Sequence, residues 1–216
     1  MDMKNGVVVV LLLVLLSIST NSSSSSASST DNYQNTPESS SNTQQTFYYK
    51  SYIKNSCNTA TYPSICYKNL NRYALSIQAD PLKLCNTSLS LALKAARSAA
   101  STVSKILKTG SNNLTAQAKA VVHDCYGNLK DSVGEMQDSI YEMGNLYDND
   151  DRDKGFHLSN MQTWVSAAIT NYNTCSDGFE EMKNVDGDLR DKIRNLVSNL
   201  DRMTSNALYF INHLPY

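Results

Sequence analysis

From Asp80 to Leu214 the apolar side chains recur every three or four residues in four successive runs, and this period restricts the chain to helices packed on one another. The first run is Leu82, Cys85, Leu89, Ala92, Ala96, Ala99, Val103 and Ile106; Asp80 stands as its N-cap, Pro81 takes the first helical position, and Gly110 ends it. The second is Val121, Cys125, Leu129, Val133, Met136, Ile140, Met143 and Tyr147. Leu158, Met161, Val165, Ala168, Tyr172, Cys175, Phe179 and Met182 make the third, and Leu189, Ile193, Leu196, Leu200, Met203, Ala207, Phe210 and Leu214 the fourth. Short polar links join them, the clearest being Asp148 to Gly155. The pattern predicts an all-α fold, an antiparallel up-and-down four-helix bundle over 80–214. Ahead of it, Phe47 to Cys57 and Pro63 to Leu75 read as two short helices around the turn Asn58 to Tyr62, a hairpin over 47–76. Eight Gly and four Pro are too few for a turn-dense β-fold. The folded domain is therefore expected over 47–216.

The cysteines, at 57, 66, 85, 125 and 175, bear on the register of that bundle. In an antiparallel pair, residues equidistant from the connection face each other. The midpoint of Cys125 and Cys175 falls in the link between the second and third stripes, and the midpoint of Cys57 and Cys66 falls in the hairpin turn. The mirror of Cys85 lies near Asp138, where there is no cysteine. The expectation is two disulfides, Cys57–Cys66 and Cys125–Cys175, with Cys85 a free thiol inside the first stripe, acting as a small apolar side chain.

Residues 1–26 are expected outside the fold. Lys4 precedes the apolar run Val7 to Leu16, which has the length of a signal-peptide core and about half the ~20 residues that span a bilayer. Cleavage is expected between Ser19 and Ala27, so the mature protein is expected to be secreted, with no membrane segment. Residues 27–46 read as a disordered Ser-rich leader, too polar to offset the cost of ordering. Asn86-Thr87-Ser88 and Asn113-Leu114-Thr115 make Asn86 and Asn113 candidate N-glycosylation acceptors on a secretory route.

No catalytic constellation assembles from the titratable residues. His123 and Asp124 are neighbours on a helix and diverge by about 100°, so they form no dyad. His157 and His213 read as solvated or capping side chains. There is no His-Glu-x-x-His, no Cys-x-x-Cys and no Gly-x-Ser-x-Gly, and the acids Asp148, Asp150, Asp151 and Asp153 lack the spacing of a calcium loop. The reading is a protein that is not an enzyme and carries no metal or cofactor. Nineteen Lys and Arg against 20 Asp and Glu give a net charge of -1, which disfavours a nucleic-acid partner.

What remains is surface. Opposite its stripe the second helix displays Asp124, Asn128, Asp131, Glu135, Asp138 and Glu142, and the third displays Asn160, Thr163, Asn171, Thr174, Asp177 and Glu181. A disulfide between these helices would preorganise that face for docking. A secreted helical carrier or signal would need a cavity or a receptor face, whereas stripes of Leu, Val, Met and Phe favour a packed core.

Four segments carry a resemblance. Cys57-Asn-Thr-Ala-Thr-Tyr-Pro-Ser-Ile-Cys66, Val122-His-Asp-Cys125, the run Thr163 to Phe179 with its Trp-x-Ser-Ala-Ala and Cys-x-Asp-Gly-Phe motifs, and Ser205-Asn-Ala-Leu208 together resemble the plant invertase and pectin methylesterase inhibitor family over 48–214. The resemblance implies a helical hairpin on a four-helix bundle, with the first and second and the third and fourth family cysteines paired. It implies noncovalent inhibition of pectin methylesterase in the cell wall, the second and third bundle helices covering the substrate cleft; an acid invertase is the alternative target. By motif position, Thr174, Asp177 and Asp131 match partner contacts, and Asn171 and Thr163 share their face. Acidic contacts also imply pH-sensitive binding. Gly127 and Gly134 depart from the family's acidic positions, and each mid-helix Gly costs ~1 kcal/mol against Ala. The chain ends just after the fourth stripe, so it is expected to act by itself and not as the pro-region of an esterase.

Overall fold

The computed structural model describes residues 38–110, 114–147, 153–180 and 186–216. The expected signal segment, most of the leader, Asn113, Asp148 to Asp151 and Met182 lie outside them. The helices are α1 (Glu38–Asn58), α2 (Pro63–Leu70), α3 (Ala74–Ile77), α4 (Pro81–Thr109), α5 (Ala116–Asn145), α6 (Lys154–Glu180) and α7 (Gly187–Asn212), with a 3₁₀ turn at Asn71–Tyr73.

Starts and stops follow local chemistry. Asp80 is extended and its Oδ1 accepts the Lys83 N–H at 3.1 Å, with Pro81 opening α4. Thr115 caps α5 by accepting from Ala118 N–H, and Asp186 caps α7 by accepting from Asp188 N–H. α4 stops at Gly110, whose N–H returns to the Ile106 carbonyl; a Cβ there would sit 2.8 Å from that oxygen, so a side chain does not fit. α1 begins at Glu38, so residues 38–46, read from the sequence as leader, are helical. Glu38 to Thr46 holds neither Gly nor Pro, and a helix nucleated by the hairpin extends into it at little cost.

α4, α5, α6 and α7 pack each against the next, and α7 closes back on α4, which makes an up-and-down bundle. The hairpin is α1 on α2 and α3, and α2 in turn rests on α4 and α7. Cys57 is bonded to Cys66 inside it, with Cα atoms 5.5 Å apart. One side chain fastens the hairpin turn to the bundle: buried Asn206 of α7 accepts the Tyr62 N–H at 2.8 Å and donates to the Tyr62 carbonyl at 3.1 Å. Arg202, one turn earlier, lies over the Tyr62 ring.

The core largely follows the stripes. α6 buries Met161, Val165, Ala168, Tyr172, Cys175 and Phe179, and α4 buries Cys85, Leu89, Ala92, Ala96, Ala99 and Val103. α5 corrects the sequence reading. It buries Val122, Ser132 and Ser139 in the turns where Val121, Val133 and Ile140 were expected inside, and its C-cap Leu146 is buried in place of Tyr147. Its buried set is a strict seven-residue repeat, Val122, Leu129, Met136, Met143 and Cys125, Ser132, Ser139, Leu146, the geometry of coiled-coil packing. The two serines are small enough to bring α6 close. Ser132 Oγ donates within α5 to Asn128 O at 2.8 Å and reaches Ala168 O of α6 at 3.3 Å, and the bonded Cys125 and Cys175 have Cα atoms 4.3 Å apart. In α7, Val197, Thr204 and Ile211 are buried while Leu189, Leu196 and Met203 are half-buried. Cys85 is fully buried, and loss of water pushes its thiol pKa far up, which keeps it unreactive.

Candidate functional site

The repeat fixes which side chains of α5 and α6 reach the surface together. On α5, Asp124, Asp131 and Asp138 are exposed, and Asn128, Glu135 and Glu142 lie half-buried beside them, nearer α6. On α6, Asn160, Thr163, Ala167, Asn171, Thr174 and Gly178 follow one another at helical spacing along the side turned to that acidic row. Polar bonds cross the seam. Asn171 Nδ2 donates to both carboxylate oxygens of Glu135 at 3.0 Å. Asn160 Nδ2 donates to Glu142 Oε1 at 3.0 Å, and His157 Nδ1 pairs with Glu142 Oε2 at 2.6 Å. All of these contacts, like the disulfide, are symmetrical about a point near residue 150.

The two bridging carboxylates differ in charge behaviour. Burial raises Glu135, the neighbouring Asp131 and Asp138 raise it further, and the Asn171 bond only partly opposes them, so its pKa sits above the ordinary value. Burial also acts on Glu142, but the bonds from His157 and Asn160 outweigh it and hold the carboxyl below its ordinary value.

The residues singled out from sequence take distinct places. Asn171 is part of the seam. Thr174 is exposed, its hydroxyl donating back to Thr170 O at 3.0 Å, and it lines a shallow groove over the disulfide with Asp124, Asn128 and Gly178. Thr163 is exposed on the same side of α6, about 16 Å along the helix from Thr174. Asp131 stands across the seam, beside Glu135. Asp177 is exposed one turn beyond Thr174, and no contact joins it to Asp131. Asn86 is half-buried within α4 beside the Tyr147 hydroxyl.

Sequence reasoning missed His157, read as solvated, whose ring is half-buried against Glu142. Its position seven residues before Trp164 and fourteen before Asn171 was the available signal. Gly127 and Gly134 leave α5 unbroken, and a Cβ at either would meet no atom within 4 Å. His123 lies 3.8 Å from Asp124, both in solvent. Among the described residues no three His, Cys, Asp or Glu gather as metal ligands would.

Residues 51–210 match the sequence model of the plant invertase/pectin methylesterase inhibitor family. The chain belongs to that family. It is 38% identical over 162 residues to the 21 kDa protein of Daucus carota, covering 75% of this chain and 82% of that protein. It is 37% identical over 169 residues to pectinesterase inhibitor 4 of Arabidopsis thaliana, covering 76% of this chain and 80% of the relative. Pectinesterase inhibitor 10 of Arabidopsis thaliana is 41% identical over 161 residues, and the match spans 50% of its length. The crystal structure of mutant form A of a pectin methylesterase inhibitor from Arabidopsis superposes with a TM-score of 0.58 at 20% identity, over 74% of this chain and 94% of the other, which shows the fold.

Within this member of the inhibitor family the motif segments have local physical roles. Ser205-Asn-Ala-Leu208 supplies the Asn206 clamp, and the cysteine-bounded turn supplies the Tyr62 groups it holds. The run from Thr163 to Phe179 supplies the seam side of α6 and its disulfide.

Proposed function

We propose that this protein is a secreted inhibitor of pectin methylesterase that works by binding alone, α5 and α6 lying over the esterase's substrate cleft in a noncovalent complex. The single observation that carries the reading is the seam: two helices tied by Cys125–Cys175, by Asn171 to Glu135 and by Asn160 and His157 to Glu142 present a polar, acidic face whose side chains are already in place. Such a surface loses little conformational entropy on docking. Relatives named as pectinesterase inhibitors support the choice of target. The contacts are Thr174, Asp177, Asp131, Asn171 and Thr163, three on the seam side of α6, one across it and one a turn beyond. Delivery is through the N-terminal apolar segment to the cell wall, and no helix among the described residues is long and apolar enough to cross a membrane.

The test is titration of the purified protein into pectin methylesterase and, separately, into acid invertase, reading residual activity. Loss of esterase activity alone bears the reading out. Loss of invertase activity alone overturns it and moves the same face to the other target, as does the absence of any effect on the esterase.

A further inference from the structure

His157, Trp164, Asn171 and Gly178 succeed one another on α6 at seven-residue steps, and therefore share one side of the helix. That side is the seam: His157 meets Glu142, Asn171 meets Glu135, and a Cβ on Gly178 would come within 3.5 Å of Val121 of α5. Trp164 stands in the middle of this row, level with Glu135, and is the one tryptophan of the chain. Trp164 is 37% exposed, so it is partly covered and partly open, whereas Tyr141 at 73% and Phe156 at 65% stand out in solvent off the row. Around it the charges are of one sign. By the register of the antiparallel pair, Asp131, Glu135 and Asp138 lie at its level on α5, and α6 has no Lys or Arg after Lys154. A partly covered tryptophan at the centre of a polar face, rimmed by groups that stay hydrated, has the anatomy of an interface hot spot.

We propose that Trp164 is the anchor of the inhibitory contact, its open indole edge seated in a sugar-ring subsite of the esterase groove with the Glu135 carboxylate beside it. A groove that handles a polymer of uronic acid rings must accept ring-sized amphipathic groups, pyranose chairs with apolar C–H faces, flanked by carboxyl groups. An indole flanked by carboxylates offers that combination on a rigid support. The inference rests on the esterase-inhibitor reading above.

The experiment measures inhibition of pectin methylesterase by the intact protein and by the variants Trp164→Ala, Trp164→Phe and Tyr141→Ala, each checked for helicity and thermal unfolding. The expected result is a loss of at least about 30-fold for Trp164→Ala, a partial recovery for Trp164→Phe, and a change below about 2-fold for Tyr141→Ala. An intact protein that does not inhibit the esterase sinks the functional reading and the anchor together. An intact protein that inhibits, with a folded Trp164→Ala within about 3-fold of it, removes the anchor alone. Because the chain has one tryptophan, 5-fluorotryptophan labelling gives a single fluorine resonance, which decides the matter if Trp164→Ala does not fold. A seated indole shifts that resonance when unlabelled esterase is added, and an unmoved resonance in an inhibited mixture overturns the proposal.

Discussion

Replacing Asn206 by Ala should loosen the hairpin from the bundle and lower global stability by about 1–2 kcal/mol. The side chain is 2% exposed and satisfies both backbone groups of Tyr62, donating at 3.1 Å and accepting at 2.8 Å. Removing it strands the Tyr62 N–H in a half-buried turn, which costs about 1–3 kcal/mol, while the Tyr62 carbonyl keeps the bond it accepts from Cys66 N–H at 3.0 Å. Partial access of water to the turn places this cost toward the lower part of that range. Cys57–Cys66 closes the hairpin on itself and does not tether it to α7, so it offers no compensation. For a domain of this size about 2–4 °C of melting temperature corresponds to each kcal/mol, so the midpoint should fall by about 2–8 °C. The assay is thermal and urea unfolding followed by circular dichroism with disulfides intact. Asn206→Asp sharpens the test. Its ionised carboxyl faces the Tyr62 carbonyl and destabilises at neutral pH, while the neutral acid restores both a donor and an acceptor, so stability should return as pH falls toward the ordinary Asp value of about 4. A midpoint within about 1 °C of the parent for Asn206→Ala would refute the clamp.

Gly127→Ala and Gly134→Ala, where an added Cβ meets no atom within 4 Å, should each stabilise by about 1 kcal/mol in urea titration; a loss would show contacts that the open space around them denies. Thr174→Phe should weaken esterase inhibition with helicity unchanged, since the exposed hydroxyl bonds only within its own helix, and unchanged inhibition removes Thr174 from the interface. The pH dependence has two signs. The stabilisation from Glu142, held below its ordinary value, is complete above about pH 4.3 and is lost as pH falls through its lower folded value. Glu135, raised by burial and by Asp131 and Asp138, opposes folding when ionised, and that penalty fades on acidification. A partner closing over Glu135 deepens its burial, so docking should take up protons and inhibition should tighten from pH 7 toward about pH 5. Glu135→Gln should flatten that profile, and an unflattened one refutes the assignment.

Helix number, order and polarity were legible because stripe spacing and the Cys125–Cys175 midpoint are both properties of the chain alone. α6 could be read almost residue by residue, since its inward positions are apolar or cysteine. α5 could not: apolar weight drew the stripe through Val133 and Ile140, while packing put Ser132 and Ser139 inside. A serine contributes no apolar signal, and its fitness for the interior exists only when another backbone is near enough to need a small neighbour. The same limit hid Asn206, whose partners lie 144 positions away in the chain, and it hid the seam. Glu135, Glu142 and Asn160 look like any solvated residues until the second helix is in place.

The hidden serines and the hidden seam have one cause, and it bears on what the face can do. Ser132, Ser139, Ala168 and the bonded cysteines let α5 and α6 approach closely. The close approach puts the flanking rows within hydrogen-bond reach, so that Asn171 and Glu135, and His157, Asn160 and Glu142, can bridge directly. Larger side chains at the serine positions would favour the core by apolar area yet separate the rows, leaving each polar group to its own solvent shell and its own rotamers. The interior therefore gives up apolar contact at two turns of α5, and the outer face gains a fixed arrangement of carboxylates and amides along the seam. On the proposed mode of action, docking without chemistry, that fixed arrangement is where function resides, and the small hydroxyls beneath it are its structural condition.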